Sequence, residues 1–173
     1  MEKKMDAKWA DVQEDFCRAA NHFKMSKMIF DNGGLDADST NGYMARMALM
    51  HSMQTGYTSF EDGLKKIFAV IAEPTPLGGD DWSWDTALLS RATKNLKSER
   101  PAIFSPQFLE IAGRVRRFRH AAATDYDNLT VAEASGSVDA ATLMAENLTD
   151  EFERFRNAME ASSSKSAPRS PRG

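Results

Sequence analysis

Apolar side chains recur at every third or fourth position along most of the chain, and no segment alternates in the two-residue rhythm of a strand. That period allows little besides helices packed side by side, so the expected fold is all-α, an antiparallel up-and-down helical bundle. The first stripe, Trp9, Val12, Phe16, Ala19 or Ala20, Phe23 and Met28, predicts a helix from about Ala7 to Phe30, closed by the turn signal DNGG at 31–34. A second helix is expected from a Ser39 cap to about Thr55, and a third from Ser59 to Ala72, ended by Pro74 and Pro76. Shorter periodic runs follow from Asp80 or Asp81 to Ala92, and from Ser105 to Ala122 with Pro106 at the first helical position. The last helix is expected from about Ser137 to Met159.

A chain of 173 residues is one ordinary domain, read here as residues 1–160. Residues 161–173, rich in Ser and Pro, are expected to form a disordered basic tail. The formal charge of −3 conceals an imbalance, because the tail holds Lys165, Arg169 and Arg172 and no acid, leaving 19 bases against 25 acids, net −6, in residues 1–160. Nucleic-acid contact would therefore have to rest on a local patch. No run reaches the roughly 18 apolar residues of a membrane helix, and the start MEKKMDAKW lacks the apolar segment of a secretion signal. A cytoplasmic protein without membrane contact is expected.

Several chemistries find no support. Cys17 is the single cysteine and His22, His51 and His120 are the only histidines, so no metal site and no cofactor are expected. Met44, Met47, Met50 and Met53 lie three residues apart, a spacing better explained by flexible core filler than by a metal box. The adjacent pairs Glu61–Asp62 and Asp80–Asp81 splay by about 100 degrees on a helix and read as charge at helix N-termini. The Gly33–Gly34 and Gly78–Gly79 pairs lack a flanking strand and a phosphate-loop lysine.

The unusual stretch is GRVRRFRHAAATDYDNL at 113–129, with Arg114, Arg116, Arg117, Arg119 and His120 inside two turns and no acid among them. On a helix Arg116, Arg119 and His120 share a side, and Arg114 and Arg117 sit on another. Arg119 lies at the edge of the apolar stripe, in phase with Val115, Ala122 and Tyr126, where a fixed guanidinium can grip phosphate with two parallel hydrogen bonds. The spacing alone fits better a set of arginines paired with acids of neighbouring helices, or solvating a face.

Phe118-Arg119-His120, six residues before Tyr126, resembles the FRHxxRHxY signature of HepT-like domains in the HEPN superfamily. Upstream, GYTSFEDGLKKIFAVIAE (56–73) is similar to that family's Tyr-x-x-x-Glu helix, and GGDDWSWDTALLSRA (78–92) to its loop followed by Trp-His-x-x-Leu-Leu. RPAIFSPQFLE resembles the entry to the motif helix, so the likeness spans residues 40–158. It implies a helical bundle that forms a homodimer, with both motifs facing a shared cleft. Active members are metal-independent endoribonucleases, often toxins held in check by a nucleotidyltransferase antitoxin that modifies the motif tyrosine, here Tyr126. In such chemistry a His moves a proton and an Arg stabilises the charged phosphorane.

This sequence departs from the pattern at three positions. Thr124 stands where the Arg-x4-His motif puts histidine, Ala123 where it puts arginine, and Asp85 follows Trp84 where histidine is usual. Threonine cannot shuttle protons near neutral pH. Two functional classes follow: a basic dimer cleft binding RNA or a nucleotidyltransferase partner, with nuclease activity weakened or lost, or an active ribonuclease using Arg119 and His120. In either, Arg116, Arg117 and Arg119 are the expected phosphate ligands.

Overall fold

A computed structural model describes residues 7–75, 81–94, 100–124 and 130–165, with backbone only at 81–85, 123–124 and 164–165. Five helices make up the described chain: α1 (Ala7–Asp31), α2 (Thr40–Val70), α3 (Asp81–Thr93), α4 (Pro106–Thr124) and α5 (Val131–Lys165). The described residues contain no strand, as the apolar period predicts.

α1, α2, α4 and α5 form a four-helix bundle in which α1 touches α2 and α5, and α4 touches α2 and α5; α3 lies against α4. The turn at 32–34 works as its sequence suggests, since Gly33 and Gly34 take φ of 73° and 81° and let the chain reverse. Ser39 then caps α2, its hydroxyl accepting from the Gly42 amide at 3.1 Å.

Antiparallel packing of α1 on α2 is registered by two glycines seven residues apart. The Phe23 ring lies over Gly56 and the Phe16 ring over Gly63, so that a Cβ there would come within 2.7 and 2.5 Å of the rings. These glycines also explain why the expected break at 55–59 is absent: Gly56, Tyr57 and Thr58 are interior residues of one continuous α2. Ser59 and the acids after it do not open a helix.

The core is aromatic. Trp9 meets Phe152 edge-on at 6.0 Å, Phe16 stacks on Phe60 at 6.1 Å, and Phe60 contacts Phe108 at 6.1 Å, joining all four bundle helices through fully buried rings. Met50 and Met53 are buried filler as expected, whereas Met44 and Met47 are exposed.

Two helix starts show local chemistry at work. Ser105 caps α4 by accepting from the Phe108 amide at 3.2 Å, and Glu151 of α5 accepts from the Ser105 amide at 2.9 Å. α5 begins at Val131, six residues before the expected start, because Thr130 and Glu133 form a reciprocal capping box: the Glu133 amide donates to Thr130 Oγ1 at 3.2 Å and the Thr130 amide to Glu133 Oε2 at 3.0 Å. At its other end α5 continues to Lys165, past the expected tail boundary at 160. The remaining tail, 166–173, lies outside the described residues.

Candidate functional site

The α2–α4 contact brings the basic stretch against the middle of α2. Tyr57 and Glu61 are one helical turn apart and point the same way. Both are buried, with Tyr57 at 0% and Glu61 at 4% exposure, in phase with the core residues Leu64 and Phe68. Across from them Arg119 donates from Nη1 to Glu61 Oε2 at 2.9 Å, and its Cζ lies 5.6 Å from the centre of the Tyr57 ring. One edge of the guanidinium is thus engaged by a carboxylate and one face by an aromatic ring, while 32% of the side chain remains exposed. A guanidinium held this way has lost most of its rotamer freedom before any ligand arrives.

The other arginines divide between anchored and outward-facing. Arg116 donates to the Thr86 hydroxyl and ties α4 to α3. Arg114 pairs with Glu110 one turn earlier at 2.8 Å, but both side chains are more than half exposed, so the pair contributes little. Arg117 and His120 are exposed, and no described acid reaches Arg117. Phe118, between the bases, is buried together with Val115 and Ala122 and orients the segment.

The pairing of arginines with acids is found in part: Arg114 and Arg119 pair with acids, one of them on a neighbouring helix, while Arg119 stays partly exposed and Arg117 is exposed. Thr124 is the last residue of α4, four residues or about 6 Å beyond His120 along the axis. Tyr126, the expected modification site, lies outside the described residues.

Glu61 does not supply the helix N-terminal charge expected of the Glu61–Asp62 pair; it lies two-thirds of the way along α2 and serves as the buried counter-ion of Arg119. Its position on the apolar stripe, four residues after Tyr57, was the available signal. Asp80 lies outside the described residues, and Asp81 does open α3.

A family model described as HepT-like protein matches residues 48–159, well over half of the chain and all of α3 and α4. The chain belongs to the HepT-like family. It is accordingly a HEPN-type protein, and the segment carrying Tyr57, Glu61 and Arg119 falls wholly inside the match. No curated protein and no solved structure matched the chain. In this HepT-like chain α1 lies outside the matched residues, although Trp9, Phe16 and Phe23 are central to the core. Among the described residues no helix is long and apolar enough to cross a membrane.

Proposed function

We propose that this HepT-like protein belongs to a toxin–antitoxin or defence module, in which a homodimer binds RNA or a nucleotidyltransferase partner through a basic cleft, with nuclease activity weakened or lost. The observation that carries this reading is the restrained, partly exposed Arg119 at the family's motif position, beside Arg116 and the open Arg117. Arg–phosphate attraction needs no histidine, because it comes chiefly from charge neutralisation and counterion release. Proton transfer does need one, and Thr124 occupies the motif position for it.

The experiment has two arms. Purified protein is titrated with single-stranded RNA at several salt concentrations, and separately incubated with tRNA and mRNA in EDTA. Salt-sensitive binding that weakens in the Arg116→Ala/Arg117→Ala double variant, with little cleavage, supports the binding reading. Salt-independent binding, or binding indifferent to that double change, rejects it. Coexpression with a nucleotidyltransferase encoded nearby tests the partner arm: added AMP mass at Tyr126 supports it, and an unmodified tyrosine with no complex counts against it.

The second reading is an active metal-independent endoribonuclease using Arg119 and His120. It is favoured by the exposure of His120 one residue from Arg119. Cleavage in EDTA that disappears in both Arg119→Ala and His120→Ala would establish it.

A further inference from the structure

About three helical turns beyond Glu61, where α2 ends, a cleft of about 320 Å³ opens between Ile71, Ala72 and Glu73, Arg91 of α3, Arg100 and Met159 of α5. Its charged wall is built around Glu73. The carboxylate, 9% exposed, accepts from Arg91 Nε and from Arg100, whose Nη2 lies 3.1 Å from Oε1. Arg100 is 3% exposed and spends its remaining donors on backbone carbonyls: Nη1 to Lys94 at 3.0 Å and Pro101 at 3.1 Å, and Nη2 to Arg91 at 3.0 Å. It is scaffold. Hydrogen bonding from Arg100, reinforced by Arg91 and opposed by burial, holds the Glu73 carboxyl below its ordinary range, so it is ionised at neutral pH.

Two guanidinium charges thus face one carboxylate, and the described lining of the cleft carries an excess of one positive charge. The excess is presented by Arg91, whose side chain is 36% exposed and whose outer nitrogens are reached by no second acid among the described residues. A guanidinium fixed through Nε turns its Nη edge outward, the geometry that takes two oxygens of one oxyanion. A concave, partly desolvated wall strengthens that attraction over the same charge on an open surface. Beside it, Ile71 and Met159 offer half-buried apolar surface, and the thioether can adapt to the shape of what it meets. The volume is at the small end of ligand pockets, which begin near roughly 300 Å³.

We propose that this cleft binds a small organic oxyanion, a carboxylate or phosphate monoester bearing a compact apolar group, with Arg91 gripping the head and Met159 covering the body. The site is separate from the basic stretch of α4 and does not depend on the RNA reading.

The test uses the full chain with phenyl phosphate, benzoate, inorganic phosphate and the neutral benzyl alcohol as probes. Binding is followed by calorimetry and by the NMR signal of the Met159 methyl group. The expected result is that phenyl phosphate or benzoate binds and moves the Met159 signal while benzyl alcohol does so at least tenfold more weakly; which of the two anions is preferred identifies the head group. Inorganic phosphate alone should bind more weakly than phenyl phosphate, reporting the apolar contribution. Arg91→Ala and Arg91→Gln should each weaken anion binding at least tenfold, and Lys24→Ala, an exposed change on α1, should leave it unchanged. Absence of binding at millimolar probe, an unmoved Met159 signal, equal affinity for benzyl alcohol, or binding indifferent to both Arg91 variants would each overturn the proposal.

Discussion

Glu61 and Arg119 meet at 2.9 Å with very different access to water, 5% of the carboxylate side chain being exposed against 32% of the guanidinium side chain. The asymmetry determines what each loss does. Arg119→Ala strands a buried carboxylate and is expected to cost about 3 kcal/mol, the low end for breaking a buried pair. Glu61→Gln leaves a polar acceptor under a guanidinium that can still reach water, and is expected to cost about 1 kcal/mol. Urea unfolding of the two variants and their double mutant measures both values and the coupling. Equal costs would contradict the burial asymmetry.

The glycines of the helical elements should respond in opposite senses to alanine. At Gly56 and Gly63 the new methyl would overlap Phe23 and Phe16, which are themselves enclosed in the core. Overpacking of about 1–3 kcal/mol outweighs the helix-propensity gain of about 1 kcal/mol, so each change destabilises. Gly136, exposed on α5 with no atom within 4 Å of the added carbon, should gain about 1 kcal/mol. Thermal melts of the three variants suffice; a stabilised Gly63→Ala would contradict the register of α1 on α2.

Ala72 is the one described non-glycine residue with positive φ, at 54°. It closes α2 with the Glu73 amide donating to the Phe68 carbonyl at 2.9 Å and the Ala72 amide to Ala69 at 3.2 Å, the hydrogen-bond pattern of a Schellman cap. Glycine belongs at such a position, so Ala72→Gly should raise stability by up to about 1 kcal/mol, reduced by the extra freedom glycine has when unfolded. A lowered denaturation midpoint would mean that the Ala72 methyl makes contacts worth more than the backbone strain.

Stability should decline in two pH windows. Burial, then His51 and Arg18, lower the His22 pKa below its ordinary 6.5, so the unfolded chain takes up this proton first and stability falls as pH drops from 6.5 toward the folded value. Glu73 is depressed below 4.5, chiefly by its hydrogen bond from Arg100; the stability it contributes is complete above 4.5 and is lost as pH falls through the folded value. Unfolding free energy measured from pH 7.5 to 3.5 should lose its upper slope in His22→Gln and part of its lower slope in Glu73→Gln. Unchanged slopes in either variant would remove that residue from the account.

How much of this was legible beforehand depended on whether a signal was local. Trp9, Val12, Phe16 and Phe23 announce α1 because each lies on one face at helical spacing, and Ser105-Pro106 marks the start of α4 because capping is decided within four residues. At the middle of α2, Ser59 followed by Glu61 and Asp62 carries the local signature of a helix start, yet the helix runs straight through it, because the Phe23 and Phe16 rings of another helix pack over Gly56 and Gly63 on either side. The early start of α5 is local as well, carried by the Thr130-Val-Ala-Glu133 capping box and not by apolar spacing, which becomes regular only further along the helix. At the candidate site, the basic run and Arg119 could be read directly. The place of Glu61 on the apolar stripe signals its burial but not its partner, which is 58 residues away and is brought to it only by the packing of α2 on α4.

The bare patches at Gly56 and Gly63 are the imprint of a helix that the family likeness does not reach. A shortened chain beginning at Ala48 would keep the mould without its casting, with two ring-sized hollows and a long greasy seam laid open to water. Such a fragment would be expected to clump with its own copies, which makes the first helix a condition of solubility and not an ornament added to the family's core.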